Sequence, residues 1–250
     1  LAVSILLLVG VQIRNHVRPL PARDWILSNL KEIQVDDPND FHFAVFGDNR
    51  GSGFVFESIL DRIQSDPQIA FALAVGDLVH SGEKENYRLF LQQVTSHLDK
   101  PLLTAVGNHE LKGEGRDLYA EIFGPPYYWF QIGKTCFFVL DDAGGDIGPR
   151  QRTWFRNQLT EAAHCNQRLL FLHTPLYDPT GEHSLPKHAA DSLSDLFSDY
   201  NMTHIFASHI HGWFEGQWNG MPFTISGGAG AALQGLDPEQ LRADAGLMEA

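Results

Sequence analysis

Apolar residues in this chain fall into two kinds of run. Short, nearly unbroken ones such as Ile69-Ala-Phe-Ala-Leu-Ala-Val75 lack helical spacing and end at glycine or a polar residue. That is the pattern of a strand buried on both faces. It recurs over 41–46, 102–106, 169–172 and 203–208. Elsewhere apolar residues repeat every three or four positions, as at 87, 90, 91, 94 and 98. Such stripes predict core-facing helices over 54–63, 85–98, 150–163 and 188–200, with a short turn over 119–123. Segments 127–132 and 135–140 flank Gly133-Lys134, and 213–218 and 222–226 flank Asn219-Gly220; both pairs predict hairpins. Strand and helix patterns alternate from Phe41 onward, so the fold class is α/β.

The ends of the chain read differently. Leu1 to Ile13 is almost wholly apolar, with Arg14, Arg18 and Arg23 close behind. Residues 1–18 are expected to be a targeting or anchor segment, although the run is shorter than the roughly 20 residues of a membrane helix. This makes the chain a candidate for membrane anchoring or export, with the side of the membrane left open. Residues 19–40 carry three prolines and predict a linker with a short helix over 25–33. One domain is expected over 41–233, followed by a tail at 234–250.

At 250 residues the chain is long enough for one large core. Its formal net charge is −13, and no Lys/Arg cluster is long enough to track a phosphate backbone, which argues against an extended nucleic-acid interface. A small anionic substrate stays open, because bound cations reverse the local field. The two cysteines are too few for a disulfide framework and form no Cys-x-x-Cys pair. Cys136, in a strand-like run, reads as core packing; its pairing with Cys165 is left open.

The chemistry lies where the strands stop. The run to Phe46 delivers Gly47-Asp48-Asn49-Arg50, and the run to Val75 delivers Gly76-Asp77-Leu78-Val79-His80. The run to Val106 delivers Gly107-Asn108-His109-Glu110, the run to Leu172 delivers His173, and the run to Ser208 delivers His209-Ile210-His211. Each handoff alone could be a turn. Five together supply Asp, Asn and His, the donors for hard and borderline metal ions, at the strand ends where open α/β sheets gather ligands.

Taken in order, these motifs resemble the calcineurin-like metallophosphoesterase superfamily from Phe41 to about Gly230. The resemblance implies a four-layer α-β-β-α sandwich of two mixed sheets with helices outside. It implies two divalent metal ions, of manganese, iron, zinc or a similar metal. Asp77 would bridge them, Asp48 and His211 would hold one, and Asn108, His173 and His209 the other. His109 would act as general acid in hydrolysis of a phosphate monoester or diester by a metal-activated hydroxide. Arg50 stands where many members have a metal-binding histidine. Arginine cannot ligate a metal but forks onto phosphate oxygens, which makes it a substrate-binding candidate. In the purple acid phosphatase branch, which also lacks that histidine, a tyrosine three residues past the bridging Asp ligates the first metal. His80 holds that place and is expected to complete the first metal's ligands. Rival readings are a phosphodiesterase specific for a nucleotide or lipid headgroup, and a catalytically silent metal-binding or partner-binding domain.

Overall fold

The computed structural model describes residues 23–178 and 183–233. The expected N-terminal segment and C-terminal tail therefore lie outside the described residues. Three parallel strands, β1 (His42–Phe46), β2 (Ile69–Ala74) and β3 (Leu102–Thr104), form one sheet in that order. The other six are β4 (Tyr128–Ile132), β5 (Thr135–Val139), β6 (Gln167–Phe171), β7 (His204–Ala207), β8 (Trp213–Trp218) and β9 (Met221–Ser226). They form a second, mixed sheet ordered β4-β5-β6-β7-β9-β8. Strands β5, β6, β7 and β9 run parallel, and the two predicted hairpins supply its antiparallel edges.

Alternation along the strands explains the layers. Phe137, Val139 and Phe171 point into the cluster shared with the first sheet, whereas Cys136, Phe138, Leu140, Leu170 and Leu172 point the other way. Between the sheets Phe43 stacks on Phe71 at 5.4 Å and meets Phe137, Phe171 and Phe206 edge-on. Such pairs add to the burial of their large apolar area. Helices α1 (Trp25–Glu32), α2 (Phe54–Ser65), α3 (Lys84–His97) and α4 (Gly115–Phe123) contribute buried residues to the first core. Helices α5 (Pro149–Glu161) and α6 (Lys187–Asp199) cover the far face of the second sheet through Phe155, Leu159, Leu193 and Phe197.

The helix expected within the linker is docked. Trp25 Nε1–H donates to the Leu102 carbonyl at 2.7 Å, and the Leu102 N–H donates to Asn29 Oδ1 at 2.8 Å. These side chains satisfy the free edge of β3, which would otherwise be open to pairing. The structure also joins Cys136 to Cys165 in a disulfide, both residues lying within the outer core.

Candidate metal centre

Because β1, β2, β3, β6 and β7 run parallel within their sheets, the loops after them carry Asp48, Asp77, Asn108, His173 and His209 to one edge of the sandwich. The crossing is stitched there by hydrogen bonds between sheets. His173 Nδ1 lies 2.9 Å from the Val75 carbonyl and Ser208 Oγ donates to the same oxygen, while Ser208 N–H donates to the His173 carbonyl within the second sheet. Backbone strain collects at this edge: Asp48, Arg50, Asp77 and His209 all adopt positive φ, between 47° and 68°. Non-glycine residues take that region at a cost that surrounding contacts must cover. Gly76 and Gly107 make the close approach possible. A Cβ on Gly76 would stand 2.5 Å from His173 Nδ1, and one on Gly107 would collide with the Asp77 backbone nitrogen.

Four donor atoms converge on one point. His173 Nε2 lies 3.1 Å from Asn108 Oδ1, 3.1 Å from His209 Nδ1 and 3.3 Å from Asp77 Oδ1. Asp77, His173 and His209 place one ligand atom each within 4.8 Å of one another. Since His173 Nδ1–H is committed to the Val75 carbonyl, Nε2 is the atom that faces the cluster, the usual arrangement of a ligating imidazole. A divalent cation fits this set.

Beside it, Asp48 Oδ1 and His211 Nε2 are 3.5 Å apart, both buried and without a hydrogen-bond partner among the described residues. His211 Nδ1–H donates to the Ala232 carbonyl at 2.7 Å, so Nε2 is the atom that faces the carboxylate, and Asp48 raises the His211 pKa. A buried carboxylate facing an imidazole nitrogen is costly unless a positive charge stands between them, a proton on Nε2 or a bound cation. This pair also suits a metal ion.

Electrostatics follow from burial and neighbours. Burial opposes the charged form of Asp77, but His173, the His109 N–H and Arg50 outweigh it and hold the carboxyl down to about 2. Burial likewise opposes the His173 imidazolium, yet Asp77, Asp48 and Asp142 raise its pKa. Burial and the adjacent His173 push His209 down to about 4, so it is a neutral donor at physiological pH.

The remaining sequence candidates line the mouth. Arg50 donates Nε–H and Nη2–H to Asp77 Oδ2 at 3.0 and 2.9 Å. His109 is buried; its backbone N–H donates to Asp77 Oδ1, and its Nδ1 lies 2.5 Å from the His80 carbonyl. Lys112 Nζ stands 3.1 Å from His109 Nε2. Burial lowers the His109 pKa against the pull of Asp77 and the His80 carbonyl, with Arg50 and Lys112 adding to the lowering. The exposed His80 ring lies edge-on to His109 at 5.9 Å and is outside both donor groups; its carbonyl, rather than its imidazole, touches the site.

Three supporting groups escaped the sequence reading. Glu110, fully buried, accepts N–H bonds from Asp77, Val79 and Gly107. Asp142, also buried, accepts from His173 and Thr174. The segment after β9 fastens the Asp48 loop through Ala229 N–H to Gly47 and Ala231 N–H to Asp48. Asp142 did carry a signal: it follows the apolar run 135–140 in the same strand-then-acid pattern as Asp48 and Asp77. His183 adds a fourth imidazole, edge-on to His209 at 5.9 Å.

A two-sheet α/β sandwich with oxygen and imidazole donors gathered at its strand ends defines the class as a metallophosphoesterase-type fold. The chain belongs to the calcineurin-like phosphoesterase family, whose model matches residues 41–213. It is 26% identical over 180 residues to a probable cyclic nucleotide phosphodiesterase of Rhodopseudomonas palustris, a match spanning 65% of this chain and 64% of that protein. It is 23% identical over 184 residues to a probable glycerophosphodiester phosphodiesterase of Arcobacter nitrofigilis, spanning 66% of this chain and 65% of the relative. The chain thus matches under two thirds of the length of either relative. Its fold is shared with a dimetal phosphatase from Danio rerio at a TM-score of 0.60 and 14% identity, covering 77% of this chain and 89% of that one.

Proposed function

We propose that this chain is the hydrolytic domain of a metal-dependent phosphoesterase acting on a small phosphate ester, with diesters preferred over monoesters. The observation that carries the reading is the convergence of Asp77, Asn108, His173 and His209 beside the paired Asp48 and His211. The preference for diesters is supported by the two relatives, both named as diesterases. Divalent metal ions, which these residues would hold, would supply Lewis acidity and lower the pKa of water near the phosphorus.

The chain's own residues complete the site. Arg50, with about a quarter of its side chain exposed, offers the outer edge of its guanidinium to phosphate oxygens. His109 Nδ1 is committed to the His80 carbonyl, so Nε2 is the nitrogen that passes a proton to the leaving oxygen. For the compartment we propose export, with residues 1–18 as the targeting or anchoring segment; the Cys136–Cys165 disulfide supports it, since such bonds persist in oxidising compartments. No helix among the described residues is long and apolar enough to cross a membrane.

The test is turnover of bis(p-nitrophenyl) phosphate and p-nitrophenyl phosphate after manganese loading. The diester should turn over faster, and Asp77→Asn should nearly abolish both reactions. His109→Ala should slow hydrolysis about 10²–10⁴-fold, the span of general acid catalysis, with smaller losses for better leaving groups. Full metal loading without turnover of either ester would assign the domain to partner binding instead.

A further inference from the structure

Arg50 is fastened to Asp77 at two points. Its backbone N–H donates to the Asp77 carbonyl at 3.0 Å, and its Nε–H and Nη2–H both reach Asp77 Oδ2. The arginine adopts a left-handed backbone, φ 47°, to do so. A strained residue held by both main chain and side chain is held for that contact. The other carboxylate oxygen, Oδ1, faces His173 Nε2 and accepts the His109 N–H. The two oxygens of Asp77 thus face different partners, Oδ1 the Asn108–His173–His209 donor group and Oδ2 the Arg50 guanidinium, with His109 Nε2 3.8 Å from Oδ2.

A guanidinium cannot shed its charge at any accessible pH. Arg50 stands two residues from Asp48, so a divalent ion held by Asp48 and His211 would lie within short range of its charge. At an effective dielectric of about 20 the repulsion at such range corresponds to a penalty on the order of 10²-fold or more in affinity. The partners of Oδ1 are the His173 imidazole and the His109 backbone N–H, and an imidazole, unlike a guanidinium, gives up its proton to a metal.

We propose that Arg50 makes the two metal positions unequal. The chain holds one divalent ion tightly at Asp77 Oδ1, Asn108, His173 and His209, and a second one weakly and exchangeably at Asp48 and His211. This inference rests on the metal-dependent reading above and adds to it that the second ion is the one set by supply.

Manganese binding to the full chain, measured by equilibrium dialysis with elemental counting, tests it without any activity assay. The unaltered chain should bind one manganese tightly and a second at least tenfold more weakly. His209→Ala should remove the tight ion and His211→Ala the weak one. Arg50→Asn, a residue that tolerates the left-handed backbone, should bring the second ion within a few-fold of the first. Arg50→His should do the same and add a donor. Two ions of equal affinity in the unaltered chain would overturn the inference while leaving the metal-dependent reading intact. An unchanged weak ion in both Arg50 variants, with the tight ion and the circular dichroism spectrum retained, would also overturn it. A chain that binds no manganese would overturn both.

Discussion

His173 is held at both ends of its ring, Nδ1 at the Val75 carbonyl and Nε2 facing Asp77, Asn108 and His209. The carboxylates around it raise its pKa above the ordinary 6.5 against the pull of burial. A raised pKa means that the folded, metal-free chain binds this proton more tightly than the unfolded chain does. The stability it contributes is complete below about 6.5 and is lost as pH rises through the raised value. A metal entering this donor group must displace the proton from Nε2. Metal uptake near neutral pH should therefore release protons, and apparent affinity should rise with pH. Calorimetric heats of manganese binding in two buffers of different ionisation enthalpy check this; equal heats would mean that His173 is already unprotonated. The ligand-type residues were legible in the sequence because Asp, Asn and His at strand ends are uncommon company. Glu110 and Asp142 were not singled out, since they act on backbone N–H groups that only tertiary contact brings within reach. The positive φ values of Asp48, Arg50, Asp77 and His209 have no counterpart in residue type.

Short elements do the positioning. The 3₁₀ turn over Asn108–Leu111 sets Asn108 toward His173 and Glu110 back toward the loop after β2, where its carboxylate gathers three N–H groups. Burial, then the nearby Asp77 charge, raises Glu110 to about 7. Glu110→Gln exchanges one acceptor oxygen for an NH₂ group facing N–H donors. A buried donor left unsatisfied costs about 1–3 kcal/mol, and the Asp77 loop should loosen with it. The expected result is a lower urea midpoint together with weaker manganese binding. Loss of stability alone, with metal affinity intact, would make Glu110 a structural strut only. Both hairpins were legible because their turn residues carry the necessary backbone. Asn219 and Gly220 take φ of 50° and 76° between Trp218 and Met221, the pattern of a type I′ turn. The docking of α1 was not legible. Its grip on β3 depends on two polar side-chain atoms, of Trp25 and Asn29, reaching one exposed strand edge.

At the scale of the molecule the two sheets are held by aromatic packing at their centre and by the ligand loops at one edge, so folding and site assembly share contacts. The outer face of the second sheet is different: it is closed by α5 and α6 and crossed by the Cys136–Cys165 bond. The sequence placed Cys136 in a core strand but could not pair it, because spacing alone does not bring β5 next to the turn before β6. In the fold, Cys136 pairs in register with Arg168 of β6, only three residues beyond Cys165. The bond spans 29 residues of sequence, the whole α5 crossover. Closing a loop of that length removes conformational freedom from the unfolded chain worth about 3–4 kcal/mol by the chain-entropy estimate. That is a large share of the roughly 5–15 kcal/mol by which a domain is stable. Cys136→Ala combined with Cys165→Ala should therefore lower the free energy of unfolding by about 3 kcal/mol in urea. Adding reductant should shift the unaltered chain by a similar amount and leave the double variant where it was. Manganese binding in native conditions should persist in both, since neither sulfur touches the strand ends that carry the donors. A reductant-insensitive midpoint in the unaltered chain would mean that the two sulfurs contribute only as buried apolar packing, and the support they lend to export would go with it.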